Sequence, residues 1–279
     1  MRRSASDVVL WVWGFAVLLF LFAPIIVIVI HSFNSGRLLA AWDGFGFEGY
    51  QAILEKPAIQ RAVIVSVQTA LISAIIATVL GTLAGIAMAK HPGRWVGWFL
   101  VLLLLVSVTP EIVDAVALLP WFVFLGQDAG MLLFNDGIVR LSIGSSLFAT
   151  AVVAYIVRAR LVGQDRNLEE ASADLFAPPL TTFRRITLPL AMPAVAAGFL
   201  LAFTLSLDNT VIAAFVNVSG STPLPVYILS AVRSGMRPEI ASVSTIMLLL
   251  TLIALAIVAF VLRRAGDSAT QIARTMTGG

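Results

Sequence analysis

The sequence predicts an all-α integral membrane protein with six transmembrane helices and both termini on the cytoplasmic side. Three observations carry that reading. Of 279 residues, 59% are hydrophobic and 12% charged, where a soluble domain carries about 25% charge. Six apolar runs, at roughly 8–30, 61–89, 96–120, 141–160, 190–216 and 240–262, each reach the ~20 residues that cross the hydrocarbon core as a helix. Lys and Arg divide unequally between alternate connections. With the N-terminus inside, twelve lie inside (among them Arg2, Arg3, Lys90, Arg94, Arg158, Arg184 and Arg185) and six outside: Arg37, Lys56, Arg61, Arg140, Arg233 and Arg237. That bias sets orientation. A β-barrel is excluded because the runs do not alternate.

Each element has its own justification. The run 8–30 is too long for a signal-peptide core and lacks a small-x-small cleavage site, so it reads as a retained helix. The outside loop that follows is rich in glycine and aromatics, and its AWDGFGFEGYQAIL portion is expected to lie at the interface. Trp42, Phe45, Phe47 and Tyr50 there either anchor the chain or meet an external ligand. In the run 61–89, Ala70, Ala74, Ala77, Gly81 and Gly85 form a small-residue stripe suited to close helix packing, inside this subunit or against another. AKHPGRW is a short basic connection, with His91 and the earlier His31 read as interface residues.

Within 96–120, Pro110 frees a carbonyl and predicts a broken or kinked helix just before Glu111. Asp114 follows one turn later, near the outer interface. GQDAGMLLFNDGIVR is turn-rich and leads into 141–160. The run 190–216 carries a polar band in its middle: Ser206, Asp208, Asn209 and Thr210. The last outside loop suits a small lateral helix around 225–234, and the tail beyond Arg264 is polar.

Between the fourth and fifth runs lies LEEASADLFAPPLTTFRRITLPL, residues 168–190. Asn167 and Glu170 are spaced as a capping-box pair. The helix they open is expected to reach about Phe176, where Pro178 and Pro179 stop it. A second short helix near Thr181 carries Phe183, Arg184 and Arg185, and Leu188-Pro189 turns the chain back to the membrane. An ordered amphipathic insert of this size exceeds an ordinary connection and suggests a docking element.

Several chemistries are excluded. There is no cysteine, and Gly-Lys does not occur, so the chain has no phosphate-cradling P-loop. It has no Gly-x-Ser-x-Gly or His-Glu-x-x-His motif, no GxGD-type protease site and no cluster suited to a metal. A passive channel would not need the 168–190 insert. No nucleic-acid partner is expected. Glu111, Asp114 and Asp208 lie in or beside apolar runs, where acids usually face a pathway or a partner; the alternative is interhelical bridging or hydrogen bonding for Glu111 and Asp208, and plain solvation for Asp114.

The insert resembles the EAA loop of ABC importer permeases, whose form is E-A-A, three residues, G, nine residues, I, one residue, L-P. Glu170-Ala171-Ser172, Phe176, Ile186 and Leu188-Pro189 stand at those spacings, with Phe176 in place of the glycine. SFNSGRLLAAWDGF, TPEIVDAVALL and LPLAMPAVAAGFLLAFTLSLDNTVIAAFV are similar to permeases of spermidine/putrescine importers of the PotC-like kind. The resemblance implies a type I ABC importer permease fold in a bacterial inner membrane, with no cofactor of its own. ATP and Mg would be used by two ATP-binding subunits, alongside a second, different permease and an external binding protein.

It implies that the loop at about 165–189 seats in a cleft of the ATP-binding subunit, with Glu169, Glu170, Ala171, Asp174, Phe176, Arg184, Arg185, Leu188 and Pro189 at that surface. It also implies a cation path. Glu111 stands in the family's S-P-D-I-V stretch, and Asp208 stands at the first acid of its S-x-D-D. Ser206, Asn209 and Asp114 are the remaining path candidates. Polyamine is the expected cargo; Asn209 replaces the second acid and removes one negative charge, which leaves ferric ion, thiamine, an opine or a phosphonate as alternatives.

Overall fold

The computed structural model describes residues 5–36, 41–163, 167–234 and 238–264. Among them there is no strand, only an isolated bridge between Asn34 and Phe45. The helices are α1 (Ala5–His31), α2 (Glu48–Glu55), α3 (Pro57–Lys90), α4 (Arg94–Val108), α5 (Glu111–Val123), α6 (Gly137–Val162), α7 (Asn167–Asp174), α8 (Pro179–Thr182), α9 (Leu188–Leu207), α10 (Val211–Val216), α11 (Leu224–Ser234) and α12 (Pro238–Arg264). Five described helical stretches are long and apolar enough to cross a membrane, and α4 with α5 makes a sixth if the bent pair is one span. In lipid the backbone must satisfy its own hydrogen bonds, so these runs are helical.

The chain divides into two compact units: residues 1–60 with 228–250, and residues 61–227 with 251–279. In the first unit, the ends of α1, α2 and α12 are joined by polar contacts. Ser242 Oγ donates to the Ser32 carbonyl at 2.8 Å, and Ser32 Oγ shares a hydrogen bond with Tyr50 Oη, also at 2.8 Å. Lys56 Nζ pairs with Glu239 at 2.5 Å. Gly49 lies so close to α12 that a Cβ there would sit 2.3 Å from Ser242 Oγ. The buried Asn34 side chain organises the loop before α2, accepting from the Gly36 and Asp43 amides and donating to the Ala41 carbonyl.

In the second unit α6 is the central helix. It is rich in small residues, and Ser146 and Thr150 return their hydroxyls to carbonyls one turn back. The small-residue stripe of α3 is buried inside this subunit, not held out for another. A Cβ at Gly81 would meet the Val153 Cβ at 2.7 Å and the Thr150 carbonyl at 2.8 Å, and one at Gly85 would meet the Ala154 carbonyl at 2.8 Å. On its other side Val153 meets Gly198 of α9, so this buried valine is wedged between two glycines. Arg140, counted above among the outside basic residues, is buried and donates to the Phe134 carbonyl.

Three expectations are corrected. The run 190–216 is not one helix: α9 ends at Leu207 and α10 starts at Val211, so Asp208, Asn209 and Thr210 occupy a break, not mid-helix. Short polar side chains compete for the backbone there. The Thr210 hydroxyl donates to the Asp208 carbonyl at 3.2 Å, and Asn209 Oδ1 accepts from the Ile212 amide at 3.1 Å. The first insert helix stops at Asp174, two residues short of Phe176. Leu188-Pro189 does not turn the chain. Phe183–Thr187 form a π turn, and α8, that turn and α9 follow one another without interruption.

The run 96–120 breaks as Pro110 requires, and the two halves bend by 98°. A proline pushes the residue before it out of the helical region; Thr109 and Pro110 are both extended, with ψ of 128° and 131°.

Candidate functional site

The insert builds a small polar knob. α7 ends in a Schellman arrangement: the Phe176 amide donates to the Ala173 carbonyl at 2.9 Å, and the Ala177 amide to the Ser172 carbonyl at 3.1 Å. That motif needs a left-handed residue after the helix, and Phe176 supplies it at φ 57°. Glycine does this without a steric penalty; a residue with a Cβ incurs ~1–2 kcal/mol. Its ring is 94% exposed. Ser172 is buried and shares a 2.8 Å hydrogen bond with Thr182, which fastens α7 to α8. Glu170, Ala171, Asp174, Arg184 and Arg185 all face outward. The Asn167 side chain, expected to cap α7, lies outside the described residues.

Glu169 differs from its neighbours. It forms an ion pair with Lys90 at the end of α3, and Lys90 also donates to Thr187 Oγ1. Thr187, itself buried, donates to Glu169 at 3.1 Å. Sequence reasoning missed Lys90 and Thr187, and nothing local could have revealed partners 97 positions apart. Leu188 and Pro189 open α9.

The path candidates sit at helix breaks. Glu111 is the first residue of α5 and is exposed; Asp114, on the same first turn, is half-buried. Acids in a first turn suit the positive end of the helix dipole. Asp208 closes α9 and is exposed, Asn209 accepts from the Ile212 amide in the first turn of α10, and the buried Ser206 hydroxyl has no hydrogen-bond partner. Ala115 of α5 and Ile212 and Ala213 of α10 share one apolar cluster, which brings the helices after the two breaks together. Among the described residues neither Glu111, Asp114 nor Asp208 has an ion pair.

Residues 81–271 match the family described as binding-protein-dependent transport system inner membrane component. The chain belongs to that family. This permease is 39% identical over 248 residues to the putrescine transport system permease protein PotI of Escherichia coli K12, covering 88% of this chain and 86% of the relative. It is 37% identical over 240 residues to the spermidine/putrescine transport system permease protein PotC of the same strain, covering 85% and 88%.

Its fold is that of solved ABC transporter chains. A bacterial transporter for the acidic polysaccharide alginate matches with a TM-score of 0.69 at 15% identity, over 93% of this chain and 96% of that one. The MetNI methionine transporter matches with 0.57 at 16% identity, over 75% and 99%. The permease is thus an all-helical, several-span membrane component, and its relatives in sequence are polyamine permeases.

Proposed function

We propose that this chain is one permease of an ATP-driven importer that moves putrescine or spermidine inward from an external binding protein. The observation that carries the reading is the identity of 37–39% to polyamine permeases across most of the chain. The site chemistry agrees with a cationic cargo. A polyamine needs carboxylates to replace water around its ammonium groups, and Glu111, Asp114 and Asp208 are acids at breaks in apolar helices, without an ion-pair partner among the described residues. Both termini lie inside, and the insert faces the cytoplasm. There α7 and the arginines of the π turn seat against an ATP-binding subunit. ATP binding moves α7, α9 follows through the Ser172–Thr182 bond, and the break at Asp208–Thr210 lies at the far end of α9. The second permease is a different chain.

The test is uptake of labelled putrescine into proteoliposomes holding this chain, its partner permease and the ATP-binding subunits, with the binding protein supplied outside. Uptake is expected to need ATP and to be blocked by excess spermidine. Uptake of another cargo, unchanged by excess putrescine and spermidine, would refute the polyamine assignment. Glu170→Arg is expected to abolish co-purification of the ATP-binding subunits. A retained complex with full uptake in that variant would remove Glu170 from the docking surface.

A further inference from the structure

We infer that Lys90 is a positioning residue that transmits movement of α7 to α3, a second route beside the one through α9; the inference rests on the importer reading above. A cavity of about 170 Å³ is lined by residues of both α7 and the end of α3, among them Ala89, Lys90, Leu161, Leu168, Glu169 and Thr187. Lys90 bridges this space. It is the last residue of α3, where a cation suits the negative end of the helix dipole, and its ammonium meets both Glu169 of α7 and Thr187 of the π turn.

The three groups close a ring, since Thr187 also donates to Glu169. One side chain thus joins three elements. A shift of α7 has polar connections on two sides: Ser172–Thr182 and Glu169–Thr187 lead into α8, the π turn and α9, and Glu169–Lys90 leads into α3. From Arg61 on, α3 lies in the same unit as α6 and is set against it at Gly81 and Gly85, so a pull at Lys90 acts on the face where those helices meet. The Lys90 and Glu169 side chains are 22% and 42% exposed, but Thr187 between them is only 1% exposed and holds its hydroxyl between the two charges.

The experiment uses the assembled transporter and compares wild type with Lys90→Met, Lys90→Arg and the double exchange Lys90→Glu/Glu169→Lys. Three quantities are read: co-purified ATP-binding subunits, ATP hydrolysis, and putrescine transported per ATP hydrolysed. Lys90→Met is expected to keep the complex and hydrolyse ATP while transport per ATP falls about fivefold or more, in the range of measured coupling energies. Lys90→Arg and the double exchange are expected to recover most of that ratio, because each rebuilds the bridge. A wild-type ratio in Lys90→Met overturns the inference alone. Loss of the complex in Lys90→Met also overturns it, by making the residue an assembly element. Absence of ATP-driven uptake in wild type would overturn the importer reading, and the inference with it.

Discussion

Phe176→Gly separates two effects that the native residue combines. In the free chain Phe176 holds a left-handed conformation at φ 57° with its ring 94% exposed. The left-handed state is unfavourable by ~1–2 kcal/mol for a residue with a Cβ, and glycine removes that term. Glycine also widens the unfolded ensemble, which offsets ~0.4–1 kcal/mol. The difference favours glycine by roughly 0.8 kcal/mol, about a fourfold change in the opening equilibrium of the α7 terminus. No packing is lost in the free chain, because the ring touches almost nothing there.

Hydrogen exchange across residues 168–182, expressed as protection factors in lipid nanodiscs, reads that equilibrium. The Phe176 and Ala177 amides close the Schellman arrangement and are expected to gain about fourfold protection. Phe176→Ala is the control: it removes the ring and keeps the Cβ, so protection stays near wild type. Docking moves the opposite way. If the ring is buried against the ATP-binding subunit, its loss removes ~1.5–3 kcal/mol, and both variants bind that subunit roughly ten- to hundredfold more weakly. Unchanged or lower protection in Phe176→Gly would refute the strain argument. Equal or tighter binding in both variants would refute docking of the ring.

Other outcomes follow from the same geometry. Gly81→Ala places a Cβ within 2.8 Å of both Val153 and the Thr150 carbonyl and is expected to destabilise by ~1–3 kcal/mol. Gly97→Ala, with nothing within 4 Å of the new atom, is expected to be neutral or stabilising; thermal unfolding in detergent compares them, and equal midpoints would contradict the packing. Asn209→Ala removes the acceptor for the Ile212 amide and is expected to cost ~1 kcal/mol in the same measurement. Asn209→Asp keeps the acceptor and restores a carboxylate, so it should fold normally and lower the KM for putrescine; an unchanged KM would place this residue off the cargo path. Ser242→Ala loses the bond to the Ser32 carbonyl and is expected to lower stability by about 1 kcal/mol.

How much of this was legible in the sequence depended on the range of the signal. The spans were, because about twenty apolar residues in lipid have one backbone solution. The break at Pro110 was, because a missing N–H acts locally. The break at Asp208–Thr210 was not. Without a proline, three polar residues inside a long apolar run read as a stripe on a helix, and only the turn they build with Ile212 shows that they end one. The ring of Lys90, Glu169 and Thr187 left no trace, since its members belong to segments that meet only after folding.

The two prolines at helix junctions show why the residue alone does not decide. At Pro110 the preceding turn is closed: the Thr109 amide and hydroxyl both donate to the Leu105 carbonyl, at 2.9 and 2.7 Å. That ends α4 before the proline, and the chain bends. At Pro189 the preceding turn is widened: the Leu188 amide reaches back five residues to the Phe183 carbonyl. A widened turn relieves the clash that a proline ring makes with the carbonyl four residues earlier, so the helix passes through. The consequence is mechanical. Because the insert enters α9 as a continuous helix and not through a turn, Arg184 and Arg185 stand on the same rod that ends at Asp208. On the proposed docking, a force on the knob acts along this helical path toward the break, past the interior Pro193.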